Sequence, residues 1–169
     1  DGCKEIEQLC DEIYKLIFYY GNVKLYSLEE KKASEDSFID ITRLMGEMFV
    51  VKTENFDNNV YQLYKGIEPL SSECFSSVVL LANGYIALQK YGIGHNAKPT
   101  WKLANNDFTY LSVREYDSII EANEELFKVS INGNEGFVDL NGNAIVEKNY
   151  CDNGLILTHC LADRGLEDA

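Results

Sequence analysis

A net charge of −13, from 15 basic and 28 acidic residues, repels phosphate backbones and anionic lipid surfaces, and the basic residues stand singly rather than in a stripe. Neither nucleic acid nor membrane insertion is expected, since the longest apolar runs, such as Val78 to Ala82, fall far short of a bilayer span. A chain of 169 residues, 46% of them hydrophobic, can bury the core of a single domain covering 1–169.

The opening residues carry no charged-then-apolar signal segment, and the start at Asp1 without Met reads as a processed or truncated chain from which an export signal would already be gone. Between Cys3 and Tyr20 two local readings compete. Cys3, Ile6, Cys10, Ile13, Leu16, Ile17 and Tyr20 fall at helical spacing, whereas the internal repeat described next makes Ile13 to Ile17 a strand. The strand is the expectation, with a short helical turn over Glu5 to Cys10 compatible with either.

The repeat is the strongest signal in the chain. Its clearest copy starts at Tyr116-Asp117-Ser118-Ile119. It continues through Leu126-Phe127-Lys128-Val129, the turn Asn132-Gly133-Asn134, Phe137-Val138-Asp139-Leu140 and the turn Asn141-Gly142-Asn143. Asn-Gly between apolar stretches supplies the positive φ that tight hairpins need. The strand at Leu126 has counterparts at Ile13, Met48 and Tyr85, with steps of 35, 37 and 41. Ten residues before each start stands Cys3, Phe38, Phe75 or Tyr116, and three residues after those stands Ile6, Ile41, Val78 or Ile119. A second strand recurs at Val23, Val60, Trp101 and Phe137.

The expected fold is therefore all-β: a four-copy antiparallel β-hairpin repeat, either an open stacked array or a small propeller-like closure. Its units cover 3–37, 38–74, 75–115 and 116–150, and a partial closing strand covers 151–160, where the acidic tail Asp163, Glu167 and Asp168 discourages edge pairing. Alternation within strands is imperfect, with Tyr14, Tyr26, Tyr64 and Phe127 at places that can face outward. Pro69 and Pro99 fall at unit ends or loops, where a missing ladder donor matters least.

The run Tyr116-Asp117-Ser118-Ile119, Leu126-Phe127-Lys128-Val129, Gly136-Phe137-Val138-Asp139, Asn141-Gly142 and Ala144-Ile145-Val146 resembles one unit of the bacterial WG-repeat family. Glu135 stands where that family's pattern has Trp, and the three earlier copies keep the apolar skeleton without the Gly-Phe-Ile-Asp signature. The resemblance implies a β-repeat module that binds partners and has no catalytic residues to transfer.

Candidate chemistry is sparse. The Tyr91 to Trp101 segment makes the third unit's hairpin the longest, 16 residues from strand start to second strand against 10, 12 and 11 elsewhere. Insertions on repeat scaffolds map to exposed loops, so Tyr91, His95, Asn96 and Trp101 form the candidate ligand-binding patch, against the plainer reading of a tolerated loop expansion. Gly92-Ile93-Gly94 is no nucleotide loop, because no helix or Lys-Ser/Thr follows. Five cysteines, odd in number and irregularly spaced, read as reduced thiols of a reducing, cytoplasmic compartment and not as a disulfide framework. Cys3, Cys10, Cys151, His159 and Cys160 near the two ends could meet on zinc only if the array closes, and apolar core cysteines are the simpler reading.

Asn55, Asp57 and Asn59 alternate as in a calcium loop but lack the following Gly and the distal Glu. Asp36 with Asp40, and Glu121 with Glu124 and Glu125, read as a solvated acidic face. With two histidines and no Gly-x-Ser-x-Gly, nothing pairs a nucleophile with a base. The expectation is a non-enzymatic protein-interaction module with no cofactor or metal and a protein partner. The alternative is a carbohydrate or small-molecule binder stacking its ligand on the Tyr91–Trp101 loop.

Overall fold

Runs of five or six residues rich in Val, Ile, Tyr and Phe, closed off by Gly, Asn and Asp, suit strands better than helices. The computed structural model, which describes residues 2–53, 59–92 and 97–145, is all-β, with no helix among those residues. Among the described residues the strands form four antiparallel sheets, none closed into a barrel.

The first sheet holds β1 (Cys3–Gln8), β2 (Ile13–Phe18), β3 (Val23–Ser27) and β4 (Lys32–Ala33) in that order. The second holds β5 (Asp40–Met45), β6 (Met48–Thr53), β7 (Val60–Lys65) and β8 (Glu68–Pro69) in the same order. The third has β10 (Ile86–Lys90) between β9 (Ser77–Leu80) and β11 (Thr100–Ala104), and the fourth has β13 (Leu126–Ile131) between β12 (Ser118–Glu121) and β14 (Asn134–Asp139). The chain divides into two compact units, one through Ser77 and one from Val78 onward.

Strand register makes the repeat concrete. Tyr14 pairs with Tyr26, Phe49 with Tyr64, Ile86 with Ala104 and Phe127 with Val138, so these residues occupy one place in successive sheets. On the other side of the middle strand Ile6 pairs with Leu16, Ile41 with Val51 and Ile119 with Val129. The starts at 13, 48, 85 and 126 are therefore equivalent, although β10 itself begins one residue later, at Ile86.

A backbone link is repeated with the sheets. Phe38 exchanges two hydrogen bonds with Val23 (2.8 and 2.8 Å), Phe75 with Tyr61 (2.9 and 2.8 Å), and Tyr116 with Trp101 (2.8 and 2.8 Å). Each link ties the third strand of one repeat to the residue that opens the next, and all three opening aromatics are buried. Burying such a ring contributes about 1.5–3 kcal/mol, which explains why the position stays aromatic in every copy after Cys3.

Alternation then gives each sheet two faces. In the first unit, Ile13, Ile17, Val23 and Leu25 of the first sheet cluster with Phe38, Ile41, Phe49, Val51 and Tyr64 of the second. In the second unit, Tyr85, Trp101 and Leu103 of the third sheet cluster with Tyr116, Ile119, Phe127, Val129 and Val138 of the fourth. By register these are the same two faces used twice. We call the face carrying Ile13 and Leu25, or Tyr85 and Leu103, the leading face. The face carrying Phe49 and Val51, or Phe127 and Val129, is the receiving face. Ring contacts reinforce both cores: Phe38 meets Tyr64 edge-on at 5.1 Å, and Tyr85 meets Phe127 at 5.3 Å.

Turn chemistry follows residue type. Asn132 and Gly133 take φ of 52° and 79° in a two-residue hairpin closed by the Ile131–Asn134 pair. The Asp117 carboxylate accepts the Asn132 N–H at 2.7 Å, so the acid after the opening aromatic holds this turn. Asp139 Oδ1 accepts the N–H groups of Asn141 and Asn143, and Asn105 Oδ1 accepts those of Asp107 and Thr109 at the equivalent place.

Several expectations need correction. The stretch Glu5 to Gln8 is strand, not helical turn, because its ladder with β2 runs from Cys3–Phe18 to Gln8–Tyr14. The equivalent second-strand residues are Val23, Tyr61, Trp101 and Glu135, so Val60 and Phe137 are displaced by one and two positions. Tyr64 and Phe127 do not face outward, since the preceding sheet covers them.

Candidate functional site

The receiving face of the first sheet is built like the other receiving faces. Tyr14 and Leu16 project from β2, Ile6 from β1 and Tyr26 from β3, because alternation sends Ile13, Val23 and Leu25 to the opposite side. Burial along β3 alternates accordingly, with Val23, Leu25 and Ser27 buried and Lys24 and Tyr26 half-buried. At the matching places in the second sheet, Ile41, Phe49, Val51 and Tyr64 are at most 4% exposed. In the first sheet Ile6 is 64% exposed and Leu28 48%.

Together Cys3, Ile6, Tyr14, Leu16, Tyr26 and Leu28 line a groove of about 430 Å³. Its polar atoms are few: the two tyrosine hydroxyls and the Cys3 thiol, which donates to the Glu5 and Ile17 carbonyls at 3.3 and 3.6 Å. Lys24 lies across from Leu16, but its ammonium is committed to the Ser34 and Glu35 carbonyls at 3.1 and 2.9 Å. Such a surface can bury apolar side chains and cross-strand aromatics; it holds no base beside a nucleophile. A second groove of about 450 Å³, more polar, lies where Tyr20, Gly21 and Asn22 of the β2–β3 turn meet Ser37, Phe38 and Ile39.

The electrostatic features that depart from ordinary values belong to the packing between sheets. Lys15, on the leading face of the first sheet, donates to Asp40 of β5 at 2.7 Å. Partial burial would raise the Asp40 pKa, but the Lys15 hydrogen bond, the Ile41 N–H and the charges of Lys15 and Lys52 together hold it below 3.8. Burial first, then the charge of Asp36 and its hydrogen bond at 3.4 Å, push the Tyr64 phenol up to about 12.

Of the candidate ligand patch, His95 and Asn96 lie outside the described residues. Tyr91 follows β10 and is 37% exposed. Trp101 is a half-buried β11 residue that packs against the Phe127 and Tyr116 cluster while its backbone makes the double link to Tyr116. Its ring thus serves a leading face. The loop legs come close at Gly92, where a Cβ would clash with the Ala97 carbonyl oxygen.

Cys3 is exposed and Cys10 half-buried, both free thiols, whereas Cys151, His159 and Cys160 lie outside the described residues, as do Asn55 and Asp57. Among the described residues no group of three His, Cys, Asp or Glu side chains is placed to hold a metal ion. Among them, too, no helix is long and apolar enough to cross a membrane.

The first sheet's open face was not singled out from sequence, although its signal was present. Tyr14, Phe49 and Phe127 each stand one residue after a repeat start. No family model matches the chain, and no curated protein matches it.

Proposed function

We propose that this chain is a non-enzymatic protein-interaction module, and that the receiving face of its first sheet is the surface that engages a partner. One observation carries the reading. Six side chains that are apolar or amphipathic line one open groove, and the second-sheet counterparts of four of them, Ile6, Tyr14, Leu16 and Tyr26, are buried against a neighbouring sheet. An open groove lined by apolar and aromatic side chains is the kind of surface through which proteins dock. The partner is a protein presenting its own apolar strand face, since the groove offers few directional polar groups for a small ligand. The charge of −13 disfavours nucleic acid, and the WG-repeat resemblance of residues 116–146 points toward binding rather than catalysis.

A photo-reactive residue in place of Leu28, compared with the same residue in place of the isolated, exposed Val113, tests this. Protein adducts are expected at position 28 and not at 113, and Ile6→Asp in the same chain should abolish them. Equal labelling at both positions, or adducts indifferent to Ile6→Asp, would contradict the proposal.

A further inference from the structure

Resting on that reading, we infer that the partner of the first sheet's receiving face is the leading face of the fourth sheet in a second copy of this chain, so that copies join head to tail. The chain displays the required interface twice. In each compact unit a leading face, Ile13, Val23 and Leu25 or Tyr85, Trp101 and Leu103, fills a receiving face built at identical register positions. The first sheet carries a complete receiving face, Ile6, Tyr14, Leu16 and Tyr26, with its groove open. On the fourth sheet, register places Leu126, Lys128 and Phe137 where the first sheet has Ile13, Lys15 and Leu25. All three of these fourth-sheet residues keep partial exposure.

Charge favours a second copy over an unrelated apolar partner. Within the first unit the leading-face Lys15 meets Asp40, at the start of the edge strand of the covering sheet, at 2.7 Å. The position of Lys15 is taken by Val50 in the second sheet, Ala87 in the third and Lys128 in the fourth. The position of Asp40 is taken by Glu5 in the first sheet, Ser77 in the third and Ser118 in the fourth. A basic residue at the Lys15 position therefore recurs only on the fourth sheet, and an acidic residue at the Asp40 position recurs only on the first. Lys128 pairs with Glu135 of its own sheet at 2.8 Å, as Lys15 lies 4.0 Å from Glu7 of its own; docking one face on the other adds Glu5 beside Lys128 as Asp40 stands beside Lys15. Because the two surfaces differ, the contact is heterologous and does not saturate at two copies.

Sedimentation velocity and equilibrium on the full chain, over a range of concentrations at about 0.15 M salt, where repulsion between two chains of charge −13 is screened, test the inference. The average mass should rise with concentration past that of a dimer. Ile6→Asp, at an exposed position that folding tolerates, should weaken association at least about tenfold, as expected for a charge placed inside an apolar contact. Glu5→Lys and Lys128→Glu should each weaken it about two- to fivefold, the range of a partly exposed ion pair. Mixing the two variants in equal amounts should restore it, with circular dichroism confirming that each is folded. A mass of one chain at every concentration overturns the inference, as does self-association untouched by Ile6→Asp or not restored by mixing. If the chain stays monomeric while position 28 still labels another protein in an Ile6-dependent way, the second copy is refuted and the interaction reading stands. Loss of both refutes both.

Discussion

Tyr14 and Phe49 occupy the same place in consecutive repeats, yet truncating them should have very different costs. Phe49 is fully buried between the leading face of the first sheet and its own sheet, among Ile13, Leu25, Tyr64 and Val51. Phe49→Ala removes the transfer free energy of the ring and leaves a cavity that two strand-braced sheets cannot collapse, so the loss should be about 3–5 kcal/mol. Tyr14 has Tyr26 as its cross-strand neighbour and lines the open groove, half-buried. Tyr14→Ala should cost about 1 kcal/mol or less, the worth of one cross-strand pair and partial burial. A body of the size of Asp1–Ser77 has a total stability on the order of 4–12 kcal/mol. Phe49→Ala thus consumes a large share of it, and Tyr14→Ala does not. Urea titration followed by far-ultraviolet circular dichroism, at concentrations low enough to hold the chain monomeric, reads the difference. With a slope of about 1.5 kcal/mol/M, the Phe49→Ala midpoint should fall by roughly 2–3 M and the Tyr14→Ala midpoint by under about 1 M. Equal shifts would refute the claim that one receiving face is covered and the other open.

The ionisable pairs give two further tests. Asp40 is held below its ordinary 3.8, so its ion pair stabilises the fold above that pH and is lost as acid protonates it. Because the Asp40 side chain is half-exposed, Asp40→Asn should cost about 1 kcal/mol or less near neutrality and nothing once pH falls below the folded value; a penalty persisting in acid would contradict the pairing. Tyr64 has its phenol raised to about 12, so its contribution is intact below the ordinary value of 10 and is lost as pH climbs from there. Wild type should lose stability over that alkaline window more steeply than Tyr64→Phe, and parallel curves would argue against the buried phenol. Gly142 has φ of 79°, and a Cβ there would stand 2.9 Å from both the Leu111 Cβ and carbonyl oxygen. Gly142→Ala should destabilise the second unit by more than the about 1–2 kcal/mol of left-handed strain alone. Gly133→Ala, with the same φ and open space, should show the strain only, so equal costs would deny the Leu111 contact.

Much of this architecture was legible because the repeat ties local patterns together. Residues 3–20 satisfy helical and strand spacing alike, and only the recurrence of Ile13 at Met48, Tyr85 and Leu126 favours strand; the ladder with Val23–Ser27 confirms it. The opening positions Phe38, Phe75 and Tyr116 were found by offset alone, although their role as double backbone links needs a partner distant in sequence. What escaped was the second covered face. Tyr14, Tyr64 and Phe127 alternate away from the Val23–Leu25 side, which reads as outward when a sheet is taken to bury one face, yet a preceding sheet covers Tyr64 and Phe127 there. The open receiving face becomes visible only when Tyr14–Tyr26 is recognised as the counterpart of Phe49–Tyr64. Trp101 was read as a loop platform because a long insertion precedes it, while its pairing with Gln89 puts the ring on a leading face. The two-residue strands Lys32–Ala33 and Glu68–Pro69 leave no periodic trace at all.

The repeat and its linkage stand or fall on six amides, those of Val23, Phe38, Tyr61, Phe75, Trp101 and Tyr116. Native-state hydrogen exchange read by nuclear magnetic resonance should find all six strongly protected, far above the exposed Tyr20 and Val113. Exchange of the three pairs at the rate of those exposed residues would contradict the account.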